Sequence, residues 1–485
     1  MTATTVTQKI PAADATTEMA TDTTGAEAVF VSHDDIRELR GPLVMLGDVA
    51  GVGWDESATI AVDGEPERHG LVLEVDGDVV TLQVQEGTDG MTPGGIQVTF
   101  AGHPLEIPVG PDWLGRVCNG RGQPLDGGPP ISGTTTMPVT GWPLNPVHRE
   151  PPRDPVLTGI SVIDGLATLV RGQKLPIFSV AGLPHLALAT QIAAQAVSSG
   201  SSFRVVFAAM GLTHADIGYV RDRLEARSAA GELVLLLNAA DDPVIERILT
   251  PRIALTVAEN LAFTEGHDVL VIMSDMTSYA EAVREVSAAR REIPARRGYP
   301  GYLYSDLATL YERCGLVEGR PGSVTVVPVL TMPAGDITHP VPDLTGYITE
   351  GQIVLSAEVQ ARGIYPPVDV LSSLSRLMRS GAGKGRTRED HLDVAAQVLS
   401  AIARARQSVE LAELIGAGAL SATDQRYIEY QSRVEQEMFN QGDTESRSFD
   451  DTIGRAWHAL AALPRQELTM LPTAFLDRYL PVHDG

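Results

Sequence analysis

An apolar run at 175–178 leads into Ser179-Val180-Ala181-Gly182-Leu183-Pro184-His185-Leu186, where a parallel sheet that binds nucleotide would carry its phosphate loop. Such a loop wraps phosphates in backbone N–H groups, reaches the β and γ phosphates with a Lys and holds magnesium with a Ser or Thr. Here only Gly182 remains as a glycine, no Lys follows it, Pro184 offers no N–H, and the magnesium position has no hydroxyl. A loop that merely joins strand to helix is expected, without tight triphosphate binding. Hydrolysis also needs a group that orients the attacking water, often a carboxylate just after the next strand. After Val205-Val206-Phe207-Ala208-Ala209 stand Met210-Gly211-Leu212-Thr213, with no acid among them. Two independent parts of a hydrolytic site are therefore missing.

Two further segments imitate such a site. Gly381-Ala382-Gly383-Lys384-Gly385 lacks the first glycine, the hydroxyl after Lys384 and a leading strand, so it reads as a connector. Val269-Leu270-Val271-Ile272 ends near Asp275, as a magnesium-holding acid would end a strand. Without a phosphate loop opposite, a structural or capping role suits Asp275 better. A positive charge remains in Pro366-Pro367-Val368-Asp369-Val370-Leu371-Ser372-Ser373-Leu374-Ser375-Arg376, where a stiff proline turn precedes small hydroxyl residues and one Arg. A guanidinium offered to a neighbour's site can stabilise charge developing on a γ phosphate through its rigid fork of donors. Taken alone, an Arg after serines is more often a surface ion-pair residue.

The surrounding elements fall into three blocks. From 29 to 102, short alternating stretches are broken by Asp63-Gly64, Asp76-Gly77 and Gly94-Gly95, with a hairpin expected across Asp76-Gly77. A small all-β barrel or sandwich follows from that pattern. A Pro- and Gly-rich passage at 119–155 reads as an extended connection over a surface. Beyond it, apolar strands at 175–180, 203–209, 233–238, 269–274 and 324–330 alternate with amphipathic helices such as 187–199 and 277–291. That alternation predicts a parallel sheet covered by helices on both faces. The domain that contains it, with its lead-in, is placed at 103–386. From 387 to 485 helical periods dominate, with Leu392, Val398, Leu399 and Ile402 on one face. Residues 1–28, rich in Thr and Ala and poor in large apolar side chains, read as a disordered extension.

Composition fits this multidomain α/β reading. At 485 residues the chain exceeds what one core sustains, and about three domains of roughly 150 residues are expected. A net charge of −25 and an aromatic content of 5% argue against nucleic acid as a partner and against direct membrane contact. The two cysteines, Cys118 and Cys314, lack metal-ligand spacing and read as reduced and structural, and no metal site is expected. No signal peptide or run of 18 apolar residues is found, so a cytoplasmic location is expected.

Several blocks together resemble the B subunit (beta chain) of V/A-type rotary ATPases of bacterial kind. They are Thr158-Gly159-Ile160-Ser161, Ile163-Asp164-Gly165-Leu166 and Arg171-Gly172-Gln173-Lys174-Leu175-Pro176-Ile177-Phe178, which resemble the start of that family's central domain. Asn238-Ala239-Ala240-Asp241-Asp242-Pro243-Val244-Ile245-Glu246-Arg247, Arg296-Arg297-Gly298-Tyr299-Pro300-Gly301-Tyr302, Ile337-Thr338-His339-Pro340 and Asp343-Leu344-Thr345-Gly346-Tyr347-Ile348-Thr349-Glu350-Gly351-Gln352 resemble its later blocks. The 366–375 run fits a short signature shared by the subunits of rotary ATPases. The similarity extends from about Val29 to the C-terminus.

The resemblance implies an N-terminal β-barrel, a central RecA-like parallel-sheet domain with a degenerate phosphate loop, and a C-terminal helical domain. It implies a non-catalytic, regulatory subunit that alternates with catalytic A subunits in an A3B3 ring and meets central shaft and peripheral stalk subunits. It makes Arg376 an arginine finger acting in trans. Ser375 and Arg376 would face ATP or ADP at the interface, with Mg2+ held by the partner. The complex would move ions, and the chain would reach the inner face of the cell membrane only through it. In the loop this sequence departs from the family, because Val180, Ala181, Leu186 and Ala187 replace polar or glycine residues. The alternatives are a self-sufficient homohexameric RecA-like ATPase, such as a secretion motor or RNA translocase, and a pure scaffold. The first would need the missing Lys and carboxylate.

Overall fold

The computed structural model describes residues 32–198 and 202–481, and the extension expected over 1–28 lies outside them. Seven strands form the first domain: β1 Ser32–His33, β2 Ile36–Arg40, β3 Leu43–Leu46, β4 Glu56–Val62, β5 Arg68–Asp76, β6 Val79–Val84 and β7 Ile96–Pro104. Their order is β1-β7-β4-β5-β6-β3-β2. The first two strands thus hold opposite edges of the sheet while only Asp34 and Asp35 separate them in sequence. Since a residue spans at most about 3.6 Å, the edges lie within roughly 11 Å and the sheet curls into a barrel. Ile60, Val72, Val80, Leu82 and Val98 fill it. The expected hairpin joins β5 to β6, with Asp76 opposite Val79 and Gly77 at φ 63°, a left-handed turn conformation suited to glycine. Strand β6 is buried on both faces, because Thr81 and Gln83 point away from the barrel interior and are still covered.

The central domain holds a ten-stranded sheet. Its main path uses β8 Val117–Asn119, β9 Ile177–Ser179, β10 Phe203–Leu212, β11 Leu233–Ala239, β12 Asp268–Ser274, β13 Ser323–Thr331, β14 Gly351–Val354 and β15 Leu374–Ser375. The order is β15-β14-β9-β13-β12-β10-β11-β8. All these neighbours run parallel except β15, which is antiparallel to β14. Every residue of β11 and β12 is buried, which is why these strands read as unbroken apolar runs rather than alternating ones. Leu188 and Ile192 of the helix His185–Gln195 and Val220 and Leu224 of His214–Ala229 share one cluster over the sheet. Ile253 and Val257 of Val244–Phe263 and Tyr279 and Val283 of Met276–Ala289 belong to the other.

The stretch at 119–155 is more structured than an extended connection. Glu106–Val109 pairs with Thr135–Pro138, and Arg149–Glu150 pairs with Gly315–Val317. These pairings were invisible in sequence because each strand is only two to four residues long, and its partner is distant or belongs to the sheet of another segment. A buried ion pair fastens the same stretch: Arg313, fully inaccessible, donates to both carboxylate oxygens of Glu259 at 2.7 Å, to Thr256 Oγ1 at 2.7 Å and to the carbonyl of Val139 at 3.2 Å.

The C-terminal domain is helical, with His391–Ile415, Ala422–Val434, Phe449–Leu460 and Thr473–Tyr479. On its long helix Val398 and Ile402 are buried as expected, together with Val394, Ala401 and Ala405, whereas Leu392 and Leu399 are only partly covered. This domain shares one hydrophobic cluster with the central sheet, from Val156 to Leu476. No helix among the described residues is long and apolar enough to cross a membrane.

Both cysteines are free and buried. Burial pushes each thiol up to about 12, against the opposing pull of Arg116 on Cys118 and of Lys174 on Cys314. Thiolate is the reactive form. A disulfide-exchange reagent at pH 8 is therefore expected to modify neither cysteine in the folded chain and both after unfolding in urea; rapid reaction of the native protein would contradict this burial.

Candidate functional site

The degenerate loop follows β9. Leu183 N donates to Val180 O at 3.1 Å and His185 N donates to Leu183 O at 2.9 Å, so two N–H groups that a phosphate would need are spent inside the loop. The His185 ring fills the turn, with Nδ1 3.2 Å from Ser179 Oγ and 3.0 Å from Leu183 O. Leu183 is buried, and Val180 and Leu186 pack on the core. Apolar contacts and internal hydrogen bonds close the loop, and the residues present do not fit a magnesium nucleotide.

Asp275 caps the helix Met276–Ala289, its carboxylate accepting from Thr277 N at 2.7 Å, Thr331 N at 3.2 Å and Thr331 Oγ1. Burial raises its pKa while the Thr331 and Thr277 hydrogen bonds pull the other way. Both of its oxygens are engaged by the fold, as the capping reading expected. Where the water-orienting acid would stand, β10 continues through Met210 to Leu212 with a bulge at Gly211, whose φ is 69°. Thr213 then caps the next helix by accepting from Asp216 N. Gly381-Ala382-Gly383-Lys384-Gly385 begins at the last residue of the one-turn helix Met378–Gly381, with no strand leading into it.

Arg376 lies differently. It is exposed, directly after β15, and its backbone N donates to Glu350 O at 3.0 Å. Its guanidinium makes one long contact, Nη1 to Thr349 O at 3.4 Å, and no carboxylate of the described residues lies within 4.0 Å of it. The surface ion pair that sequence alone allowed is absent among these residues, while Arg296, Arg297 and Arg406 pair with Asp343, Asp336 and Asp369. The serines before it are braces. Ser372 Oγ donates to Asp369 Oδ2 at 2.6 Å, and Ser373 Oγ donates to Asp369 O at 2.7 Å and accepts from Val354 N at 2.9 Å. Ser375, expected beside Arg376 at a nucleotide, turns its hydroxyl inward, donating to Thr168 O at 2.8 Å and accepting from Gln173 Nε2 at 3.0 Å.

The mounting of Arg376 draws on residues whose role the sequence did not reveal. Gln173, wholly buried, also donates to Glu350 O at 3.0 Å and accepts from Val170 N at 2.9 Å. Glu350 accepts from Lys174 N at 2.8 Å and pairs with Lys174 Nζ at 2.8 Å. Burial alone would lower the Lys174 ammonium, but Glu350 and Glu312 outweigh it and its pKa is raised. Gln173 and Glu350 both sit in the blocks that carry the family resemblance, yet nothing in one sequence says that segments so far apart meet.

Gly351 completes the mounting. With φ at 133° and Leu374 O only 2.0 Å from where a Cβ would sit, the β14–β15 approach admits no side chain. Gly351→Ala is expected to cost about 1–3 kcal/mol, the range for a strained backbone position, read as a lower urea midpoint. An unchanged midpoint would mean that β15 shifts freely, and Arg376 with it.

Comparison with known proteins agrees with this geometry. The model of the ATP synthase alpha/beta family nucleotide-binding domain matches residues 159–375, and that of the family's beta-barrel domain matches residues 36–102. The model of the C-terminal domain of V and A type ATP synthase matches residues 380–480. Among solved structures, the chain is similar to the unique ATP synthase subunit NeqB from Nanoarcheaum equitans, with a TM-score of 0.69 and 35% identity, over 84% of this chain and 100% of that one. A barrel, a parallel-sheet domain and a helical domain matched in this order, together with that similarity, show that the chain belongs to the V and A type branch of the ATP synthase alpha/beta family.

Proposed function

We propose that this chain is the non-catalytic B-type subunit of an ion-translocating V/A-type ATPase or ATP synthase, and that Arg376 acts on nucleotide held by a neighbouring catalytic A subunit. One observation carries the reading: an exposed guanidinium without an acidic partner among the described residues directly follows a braced strand, in a chain whose own loop lacks the residues that hold a triphosphate. Arg376 has the chemistry for a γ phosphate, because a guanidinium stays charged and presents parallel N–H donors. The magnesium, the phosphate loop and the water-orienting carboxylate belong to the partner in this reading, which supplies the bond-breaking chemistry. The part played by this chain is to hold Arg376 in place and deliver it when the interface closes.

Alternation with A subunits in an A3B3 ring follows from the division of labour, since each site needs parts from two chains. Closure of the interface would couple to a central shaft, with peripheral stalk subunits holding the ring. The chain would lie on the inner face of the cell membrane through the ion-translocating sector of the complex. The test is ATP turnover of the full chain alone and mixed with its cognate A subunit. The lone chain should be inert and the mixture active; turnover by the lone chain would replace this reading with the homohexameric one.

A further inference from the structure

We propose that the junction between the barrel and the nucleotide-binding domain is a binding site for an uncharged, largely apolar small molecule bearing a hydrogen-bonding carbonyl or hydroxyl group. A cavity of about 690 Å³ opens there, within the range of about 300–1,000 Å³ that small-molecule sites occupy. Leu71 and Leu73 of β5 form one wall; Ile245, Ile248 and Val283, from two helices of the central domain, form the other. The strand alternation that sends Val72 into the barrel sends these two leucines outward, giving the barrel a second apolar face. Trp54 and Trp142 also line the cavity and are 71% and 80% exposed.

The polar groups select the ligand. Gln83, only 4% exposed, lines the cavity, and its Nε2 has no hydrogen-bond partner. A buried donor left unsatisfied is costly, and an acceptor on a bound molecule would satisfy it. The cations of the cavity are already neutralised: Arg252 pairs with Asp306 at 2.6 Å and Arg290 with Glu292 at 2.9 Å. Half-buried Asp55 adds a carboxylate to the lining without an ion-pair partner within 4.0 Å among the described residues. With both lining cations engaged by carboxylates and Asp55 adding one carboxylate more beside Arg252, the wall has no cation to spare for a phosphate, so a nucleotide is the wrong chemistry for it.

The neutral fluorophore prodan, a naphthalene bearing a ketone, has the required character and reports both polarity and hydrogen bonding. The full chain should bind it saturably at one site with blue-shifted emission and with energy transfer from tryptophan. Leu71→Trp, which fills the cavity, should abolish that binding without lowering the melting temperature. Gln83→Leu, which keeps the volume and removes the donor, should weaken binding roughly fivefold, the value of one ordinary hydrogen bond. Should Leu71→Trp fail to fold, exposure makes the double variant Trp54→Phe with Trp142→Phe a milder change. It should lose a large part of the energy transfer, because Trp54 and Trp142 line the cavity whereas Trp113 and Trp457 do not. No saturable binding by the native chain, undiminished binding by folded Leu71→Trp, full transfer in the double variant, or displacement by millimolar ATP would each overturn the proposal.

Discussion

Arg376→Ala is expected to lower ATP turnover of the ring formed with the catalytic partner by on the order of 10³-fold, the effect typical of arginine fingers supplied in trans. Assembly and the stability of the lone chain should not change, because the side chain is exposed and loses only one contact of 3.4 Å. Arg376→Lys separates charge from geometry: an ammonium keeps the charge and lacks the planar fork, so partial activity is expected, well below wild type. Turnover of the assembled ring measures both variants, with gel filtration to confirm that assembly persists. A ring that turns over normally with Arg376→Ala would make this chain a scaffold, and Arg376 an ordinary surface cation. Gln173→Leu gives an intermediate case, since it removes the bonds to Glu350 and Ser375 that hold the strand carrying Arg376.

These residues also show what one sequence can disclose. The parallel strands were legible because burial on both faces writes long apolar runs, as in β11 and β12. The departure of the loop from the phosphate-binding pattern was legible as well, because that chemistry needs particular residues at fixed spacing and the loop lacks them. Strands β8, β14 and β15 were not, since two to four residues carry no periodicity that could distinguish them from loop. Arg376 could be noticed as a type in a context, but its exposure and its lack of an acidic neighbour among the described residues depend on what the fold brings near it. Ser375 was placed at the nucleotide through resemblance, whereas its hydroxyl is committed to Thr168 and Gln173. A hydroxyl beside a candidate site gives no sign in sequence of which way it points.

The largest expected loss of stability lies away from Arg376, at Arg313. Its guanidinium is inaccessible and joins Glu259 and Thr256 of one helix to the carbonyl of Val139 in the Pro/Gly-rich stretch. Gly141 must pass so close that an added Cβ would lie 2.3 Å from Arg313 Cζ, so the stretch is built around this side chain. Arg313→Met preserves much of the volume and strands the Glu259 carboxylate, itself only 8% exposed, without its partner. Removing one member of a buried pair costs about 3–5 kcal/mol, mainly through the charge left behind. Equilibrium urea unfolding should show that loss for Arg313→Met. Adding Glu259→Gln should restore a good part of it, because the second change removes the stranded charge and leaves only lost hydrogen bonds. If the double variant is as unstable as the single one, the penalty comes from the carbonyls of the stretch that Arg313 satisfies rather than from Glu259. Arg313 would then act chiefly as a fastener of the chain that links barrel to sheet.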